Sequence, residues 1–541
     1  MRRVACALAV LALAMAPHAQ SPTSSSIRGI VRDDRGTPLP NVRVGISSDH
    51  GRTVRSTLTG LHGEYRLVDV PPGRYTLHAI KSGYAPLLFG QLRASGVGTM
   101  IPIRSGESRA LDLVLPRGGT ISGVVRDGKG QPLPGIWVRA HSPPFAGFVS
   151  AQHTTNARGE YRLWGLPRGA YIIGAGSDHE YAGEFVVADP AGKERAYVFR
   201  TAFYPNTTNV AEAAVVNIEP GQDERGRDIV IPMLAAGRIS GRILNNLGIL
   251  LERGSVRLQH ATNAVIVGNE PTATPDASGR VEFNGVPVGR YTLVFQALSR
   301  TAQRVPQQAL HYWAARDVIV TADETADVEL MVMEGARISG RLDFVGMPLP
   351  DSTQVWPRVE TIDGPFFRAH RGGYGERRDG AAFAVAGVAP GLWSLGVVAP
   401  SPWWLQSVMV GDRDALDEPL SIGSNESIEN VRAILTNATS GISGEITGSD
   451  GSPRFDHEVI IFPLDRRYWR PQARRIRIVQ PDFDGHFAVL QLPAGEYGVA
   501  VNRDSGLDIS RATDALEALL AGAVRAAVRL GETTQVRLRA K

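Results

Sequence analysis

Apolar and polar residues alternate along this chain in short runs, and one run recurs. Ile27-Arg-Gly-Ile-Val31, Ile121-Ser-Gly-Val-Val125, Ile239-Ser-Gly-Arg-Ile243, Ile338-Ser-Gly-Arg-Leu342 and Ile442-Ser-Gly-Glu-Ile446 share one pattern. A period of two predicts a strand with one buried face. The copies stand roughly 100 residues apart, the size of a domain rather than of a solenoid repeat. A second marker follows inside each copy. Gly63-Glu-Tyr65-Arg-Leu67 precedes Pro72-Gly73-Arg-Tyr75, and Gly159-Glu-Tyr161-Arg-Leu163 precedes Pro167-Arg-Gly169-Ala-Tyr171. Looser versions join Gly279 to Tyr291, Gly380 to Trp393 and Gly485 to Tyr497. The two glycines lie ten residues apart in four copies and eleven in the fourth.

This marker predicts strand, turn, strand: proline presets a negative φ, glycine accepts a positive one, and the aromatic residue starts a new alternation. Tyr75, Leu77 and Ala79 share a face opposite Arg74, Thr76 and His78, so the tyrosine is expected in the core. Each copy closes on another alternating strand, at Leu111 to Leu115, Ile229 to Ile231, Val328 to Val332, Val431 to Leu435 and Val536 to Leu538. One helix is expected, from Thr513 to Gly522, with Leu516, Leu519 and Leu520 on one face to cover an edge or end of the last domain. The pattern therefore predicts an all-β tandem array of five sandwiches at 26–117, 118–235, 236–334, 335–438 and 439–541, each with its own core, like beads.

The residues that carry these markers also carry a resemblance. The string I-x-G-x-V-x-D, G-x-P-L-P-x-x-x-V, G-E-Y-R-L, P-x-G-x-Y spans Ile27 to Asp33, Pro38-Leu-Pro40 to Val44 and Gly63 to Tyr75. It returns at Ile121 to Asp127, Pro132-Leu-Pro134 to Val138 and Gly159 to Tyr171. It resembles the carboxypeptidase regulatory-like domain. Copies three to five keep the opening strand and the proline-glycine turn but lack the Pro-Leu-Pro segment, except for Pro348-Leu-Pro350 in the fourth. The resemblance implies a seven-strand, Greek-key, transthyretin-like sandwich. Such domains are similar to collagen-adhesin B-type and starch-binding-like sandwiches, whose members are spacers, adhesion modules or sugar-binding modules rather than catalysts.

Composition adds the compartment. Glycine (59) and proline (35) are abundant among the 541 residues, as many tight turns require. Residues 1–19 open with Arg2 and Arg3, continue through an uncharged run and end on small residues, the layout of a secretory signal. Cleavage is expected after Ala19, with Ala16 as the alternative. The one cysteine, Cys6, lies inside that leader, so the mature chain is expected to hold no thiol and no disulfide. With 58 basic and 54 acidic residues, two of the basic ones in the leader, the chain has no nucleic-acid footprint. No later apolar run is long enough to span a membrane. Alanine- and arginine-rich usage is read as the composition bias of a bacterial genome.

Catalytic signatures are sought and not found. No histidine has a glutamate three residues on, as a zinc carboxypeptidase requires, and neither a zincin helix nor a G-x-S-x-G elbow occurs. Gly123 to Gly130 imitates a phosphate loop but has Gly130 where a hydroxyl must hold magnesium, and it is read as a β-turn. Asp482-Phe-Asp484 and Asp412-Arg-Asp414 with Asp417-Glu418 bring carboxylates together without calcium-loop spacing, and are read as solvated turns. Isopeptide cross-links need lysine, and copies three and four have none; Lys81 and Lys129 are expected in solvated turns.

The aromatic pairs are the best lead. Adjacent residues on a strand face opposite ways, so Trp403-Trp404, Tyr468-Trp469 and Phe366-Phe367 cannot each enter one core. Either the second ring packs between domains or under a loop, or it offers a face to a sugar, with Arg470 or Asp412 to hydrogen-bond it. Trp403, Trp404, Tyr468 and Trp469 are the candidate carbohydrate-binding residues. The sequence thus reads as a non-catalytic binding or spacer protein, exported to the periplasm or beyond, with no cofactor or metal and with a glycan or another envelope protein as partner. A carbohydrate-binding protein is the alternative, and an unrecognised hydrolase the third reading.

Overall fold

The computed structural model describes residues 25–48, 51–92, 97–142, 149–176, 181–188, 194–248, 252–260, 271–299, 310–347, 355–363, 376–378, 381–470, 473–502 and 512–540. The leader 1–19, Phe366, Phe367 and Pro348 to Pro350 lie outside these residues. Apart from one α-helix, Ala512–Leu520, and two short 3-10 turns, the elements are strands. They form ten sheets among the described residues.

The opening strands of all five sequence copies are paired in the same way. The opening strand lies between an antiparallel neighbour, the one bearing the second marker, and a parallel neighbour, the closing strand. In the first copy Ser25–Asp33 pairs with Glu64–Val70 on one side and with Ser108–Ala110 and Leu113–Leu115 on the other. The equivalent trios are Gly119–Asp127 with Glu160–Leu166 and Ile229–Ile231, and Met233–Leu244 with Arg280–Pro287 and Thr325–Met331. Ala336–Val345 pairs with Ala382–Val388 and Ser427–Thr436, and Gly441–Thr447 with His486–Leu490 and Thr533–Arg539. The strand after the proline-glycine turn runs in the facing sheet, as Gly73–Ile80 does beside Arg43–Ser48. Between the two sheets Ile27, Val31, Val44, Leu67, Tyr75 and Leu77 belong to one buried cluster.

Two devices explain why the markers repeat. The aromatic residue of the turn is buried and donates a hydrogen bond to a carbonyl four residues back: Tyr75 to Pro71 (2.8 Å), Tyr171 to Pro167 (2.7 Å), Tyr291 to Pro287 (2.9 Å), Trp393 to Ala389 (2.7 Å) and Tyr497 to Pro493 (2.7 Å). A buried hydroxyl or indole N–H needs such a partner, so the ring fills the core while its polar atom fixes the turn. The glycine of the opening strand allows close backbone approach. A Cβ on Gly29 or Gly340 would drive into the carbonyl oxygen of Leu111, between the two closing segments of the first copy, or of Val431 in the closing strand of the fourth. In the first copy Gly29 is opposite Tyr65, whose hydroxyl donates to that same Leu111 oxygen at 2.6 Å.

The array departs from separate beads. The hairpin Tyr181–Ala188 and Glu194–Arg200 comes from the second segment, yet Tyr197, Val198 and Phe199 pair with Ala235, Leu234 and Met233 of the third copy's opening strand. That strand, Met233–Leu244, also runs across the expected 235/236 border. Val294 and Trp313 of the third segment belong to the buried cluster of the fourth, around Trp393. The helix is also placed differently from expectation: it covers the outer face of a sheet rather than an edge or end. Its Leu516 packs with Ile460, Phe462 and Ala500, which point away from the sandwich core. The strand Glu458–Pro463 is consequently buried on both faces.

Candidate functional site

The aromatic residues singled out for sugar binding are largely withdrawn from solvent. Trp403 (7% exposed) belongs to the core cluster of the fourth unit, edge-on to Phe344 at 5.1 Å. Trp404 (9% exposed) faces the other way and donates its indole N–H to the Ala438 carbonyl at 3.0 Å, in the passage to the fifth unit. Trp469 (6% exposed) packs edge-on to Phe462 in the cluster that holds Leu516, its N–H bonded to Pro463 at 2.6 Å. Tyr468 is half-buried, with the guanidinium groups of Arg467 and Arg475 over its ring at 4.7 and 4.3 Å. The opposite-face argument thus holds for Trp403-Trp404, and loop and junction packing, not a sugar face, accommodates the second ring.

The acidic turns have a different occupant from either solvent or calcium. Arg474 bonds both Asp417 oxygens at 2.9 Å, Asp414 at 2.7 Å and the Gln406 carbonyl at 2.7 Å. Arg475 donates to Asp417 through Nε at 3.0 Å and Nη2 at 2.8 Å and reaches Tyr497 Oη at 3.4 Å. Asp417, 7% exposed at its side chain, is therefore the hinge of a buried ion network between the fourth and fifth units. Burial by itself would raise its pKa, but the hydrogen bonds and charges of the two arginines prevail and hold it at about 2.

The second acidic turn does two jobs. Asp482 Oδ1 accepts backbone N–H bonds from Asp484 (3.1 Å) and His486 (2.9 Å), the Asx turn that Asn156 and Asp276 make before the same marker in copies two and three. Asp484 points outward and accepts hydrogen bonds from Nη1 and Nη2 of Arg109, at 3.0 and 3.2 Å, from the first unit. The first and last units are thereby in contact. Phe483 packs against the first unit's core and stacks with Phe455 at 5.2 Å, while Phe89 of the first unit lies 5.6 Å from Phe455. The Phe483 N–H donates to the Met100 carbonyl at 3.0 Å, and Gln480 bonds Thr99 Oγ1 at 2.7 Å and the Gly90 carbonyl. Arg74 lies 3.8 Å from Asp482.

Sequence reasoning passed over Arg109, Arg474 and Arg475, which sit among many arginines with no spacing to mark them, and Phe89, Phe455 and Phe483, which are single aromatics far apart. It also missed Trp164, which is 56% exposed. The imitation phosphate loop is a turn: Asp127 Oδ1 accepts from Lys129 and Gln131 at 2.9 and 2.8 Å, and Gly130 takes a φ of +83°. Lys81, expected in solvent, donates to the Pro40 carbonyl at 2.8 Å.

Comparison with known proteins agrees on the first unit. No curated protein is similar to the chain in sequence. The chain is similar to the Bacillus anthracis TIE protein, at 14% identity and a TM-score of 0.16 over 57% of this chain and 51% of that one, so it spans about half of that relative. It is similar to a streptococcal ancillary pilin, at 12% identity and a TM-score of 0.22 over 57% of this chain and 98% of the pilin. It is also similar to the minor pilin of Streptococcus agalactiae, at 15% identity and a TM-score of 0.19 over 43% of this chain and 99% of that one. Overlaps this loose carry no functional argument. Among the described residues, no helix is long and apolar enough to cross a membrane. Residues 26–115, the first copy, match the family model of the carboxypeptidase regulatory-like domain.

Proposed function

We propose that the chain is an exported, non-catalytic scaffold of five sandwich units, with borders near 26–117, 118–235, 236–334, 335–438 and 439–541, that acts at or beyond the bacterial cell envelope. The observation that carries this reading is the fate of the polar side chains best suited to a ligand. Asp414, Asp417 and Asp484 are tied by arginines to neighbouring units, and Trp404 and Trp469 are bonded to backbone carbonyls. Groups so engaged hold units in place: these carboxylates are neutralised by arginines, and these two indoles are withdrawn from solvent. The test is the purified protein on a glycan and peptidoglycan array, with hydrolase substrates in parallel. Retention of no sugar and turnover of no substrate supports the scaffold. Export is tested separately by sequencing the N-terminus of protein recovered outside the cytoplasm, expected at Gln20.

One observation favours a sugar-binding reading at another place. Trp164 is exposed on the outer face of the second unit, across from Thr120, which pairs on its far side with Asp223. Arg162 lies 3.8 Å from Asp223 on the same face. A solvent-facing ring beside an acid and a guanidinium is the arrangement that stacks on and hydrogen-bonds a sugar. If the array does retain a glycan, Trp164→Ala is expected to abolish retention without changing the melting temperature. Retention by that variant places the sugar elsewhere.

A further inference from the structure

The contact between the first and fifth units joins two different surfaces. The first unit supplies a socket made by Phe89, the Gly90 and Met100 carbonyls, Thr99 and Arg109; the fifth supplies a plug, the segment Gln480 to Asp484. Socket and plug are complementary in charge as well as in shape. Arg109, nearly buried, lies over the Phe483 ring at 5.0 Å while its guanidinium grips Asp484, and Arg74 faces Asp482. The paired residues Arg109 and Asp484 are 375 positions apart, so nothing local in the chain requires this contact to form within one molecule.

We infer that the same socket and plug recognise each other between chains, so that the partner of this surface is a second copy of the chain. The two surfaces differ, and every molecule carries one of each. A chain therefore has two ways to satisfy both: it closes on itself, or it opens and exchanges plugs reciprocally with a second copy, forming a two-fold dimer. Both arrangements make the same contacts. They differ in effective concentration, which favours the closed monomer when the protein is dilute and the exchanged dimer when the protein concentration exceeds that effective concentration or when only the contact within one chain is blocked. The inference does not depend on a ligand and goes beyond the scaffold reading, because it assigns a partner to a particular surface.

Charge reversal tests it in the full-length mature chain. Arg109→Glu sets a carboxylate against Asp484 and beside Glu107; Asp484→Arg sets a guanidinium against Arg109. Each single variant is expected to open, seen as a rise in radius of gyration by small-angle scattering. Mixed in equal amounts, the two are expected to pair, because the intact plug of one meets the intact socket of the other and the two reversed surfaces restore a carboxylate–guanidinium pair with the charges exchanged. The mass by light scattering should then rise about twofold, and only in the mixture. The double variant, with both reversals in one chain, should return to the compact dimensions of the parent, which guards against a single reversal that merely unfolds its unit. Single variants with the parent's dimensions, a double variant that stays expanded, or a mixture that stays at monomer mass would overturn the inference.

Discussion

Asp417 shows at the scale of one residue how a carboxylate that looks like a ligand becomes part of the framework. Its pKa, held at about 2, lies below the ordinary 3.8, and one pKa unit corresponds to about 1.4 kcal/mol of preference for the charged form. The depressed value means that this contribution, about 2 kcal/mol, is fully present above the ordinary carboxylate range and is lost as the pH falls through about 2. Asp417→Asn should therefore lower the melting temperature at pH 7, and the gap between parent and variant should narrow between pH 4 and pH 2. Scanning calorimetry across that range checks it. A gap independent of pH would mean that the carboxylate charge does not hold the junction. The sequence read Asp414 and Asp417 as a solvated turn; Asp417 is on a turn but buried, and Asp414 ends a two-residue strand. It had no means of naming Arg474 and Arg475 as their partners, because ion pairs across a junction have no periodicity.

The elements were the most legible part of the molecule, for a physical reason. Alternation, a glycine at close approach and an aromatic residue after a proline-glycine turn are local requirements, and they recur wherever the same sandwich is built. Tyr75 was expected as core from alternation; what alternation did not reveal is the carbonyl that it, Tyr171, Tyr291, Trp393 and Tyr497 each bind. Replacing tyrosine by phenylalanine at 75, 171 or 291 removes the hydroxyl's hydrogen bond to that carbonyl, for a cost of about 1 kcal/mol each. Gly340→Ala, which presses a methyl into the Val431 carbonyl, should cost roughly 1 to 3 kcal/mol. Urea titrations that rank the glycine change at or below the tyrosine changes would contradict the close-approach explanation. The helix was legible as an element but not in its position, because the apolar outer face of Glu458–Pro463 was hidden in a strand that is apolar from Val459 onward.

At the scale of the molecule, the fold class could be read from the sequence and the assembly could not. Five copies of two local markers predict five sandwiches. Nothing in them predicts that a hairpin before Met233 extends the next sheet, that Trp313 enters the fourth core, or that the first unit meets the fifth. These contacts also bear on autonomy. The first unit has its own opening strand, closing strand and buried cluster, so the fragment 26–117 is expected to fold alone with a single cooperative transition. It should be less stable than within the full chain, because Phe483 and Asp484 no longer cover Phe89 and Arg109. A disordered amide spectrum would refute the first expectation, and equal stability of fragment and full chain the second.

The central claim is that side chains resembling binding groups instead close the array, with the last unit seated on the first. Arg74 and His486 are exposed residues from the two units on either side of Asp482, at 3.8 and 3.7 Å from it. A chain expressed from Gln20 has no cysteine, so Arg74→Cys and His486→Cys together introduce the only thiols. Treatment of the dilute monomer with a short bismaleimide, followed by tryptic digestion and mass spectrometry, reads the contact directly. The account predicts that the peptides containing positions 74 and 486 are joined within one chain. Efficient labelling of both thiols without that joined peptide would contradict it.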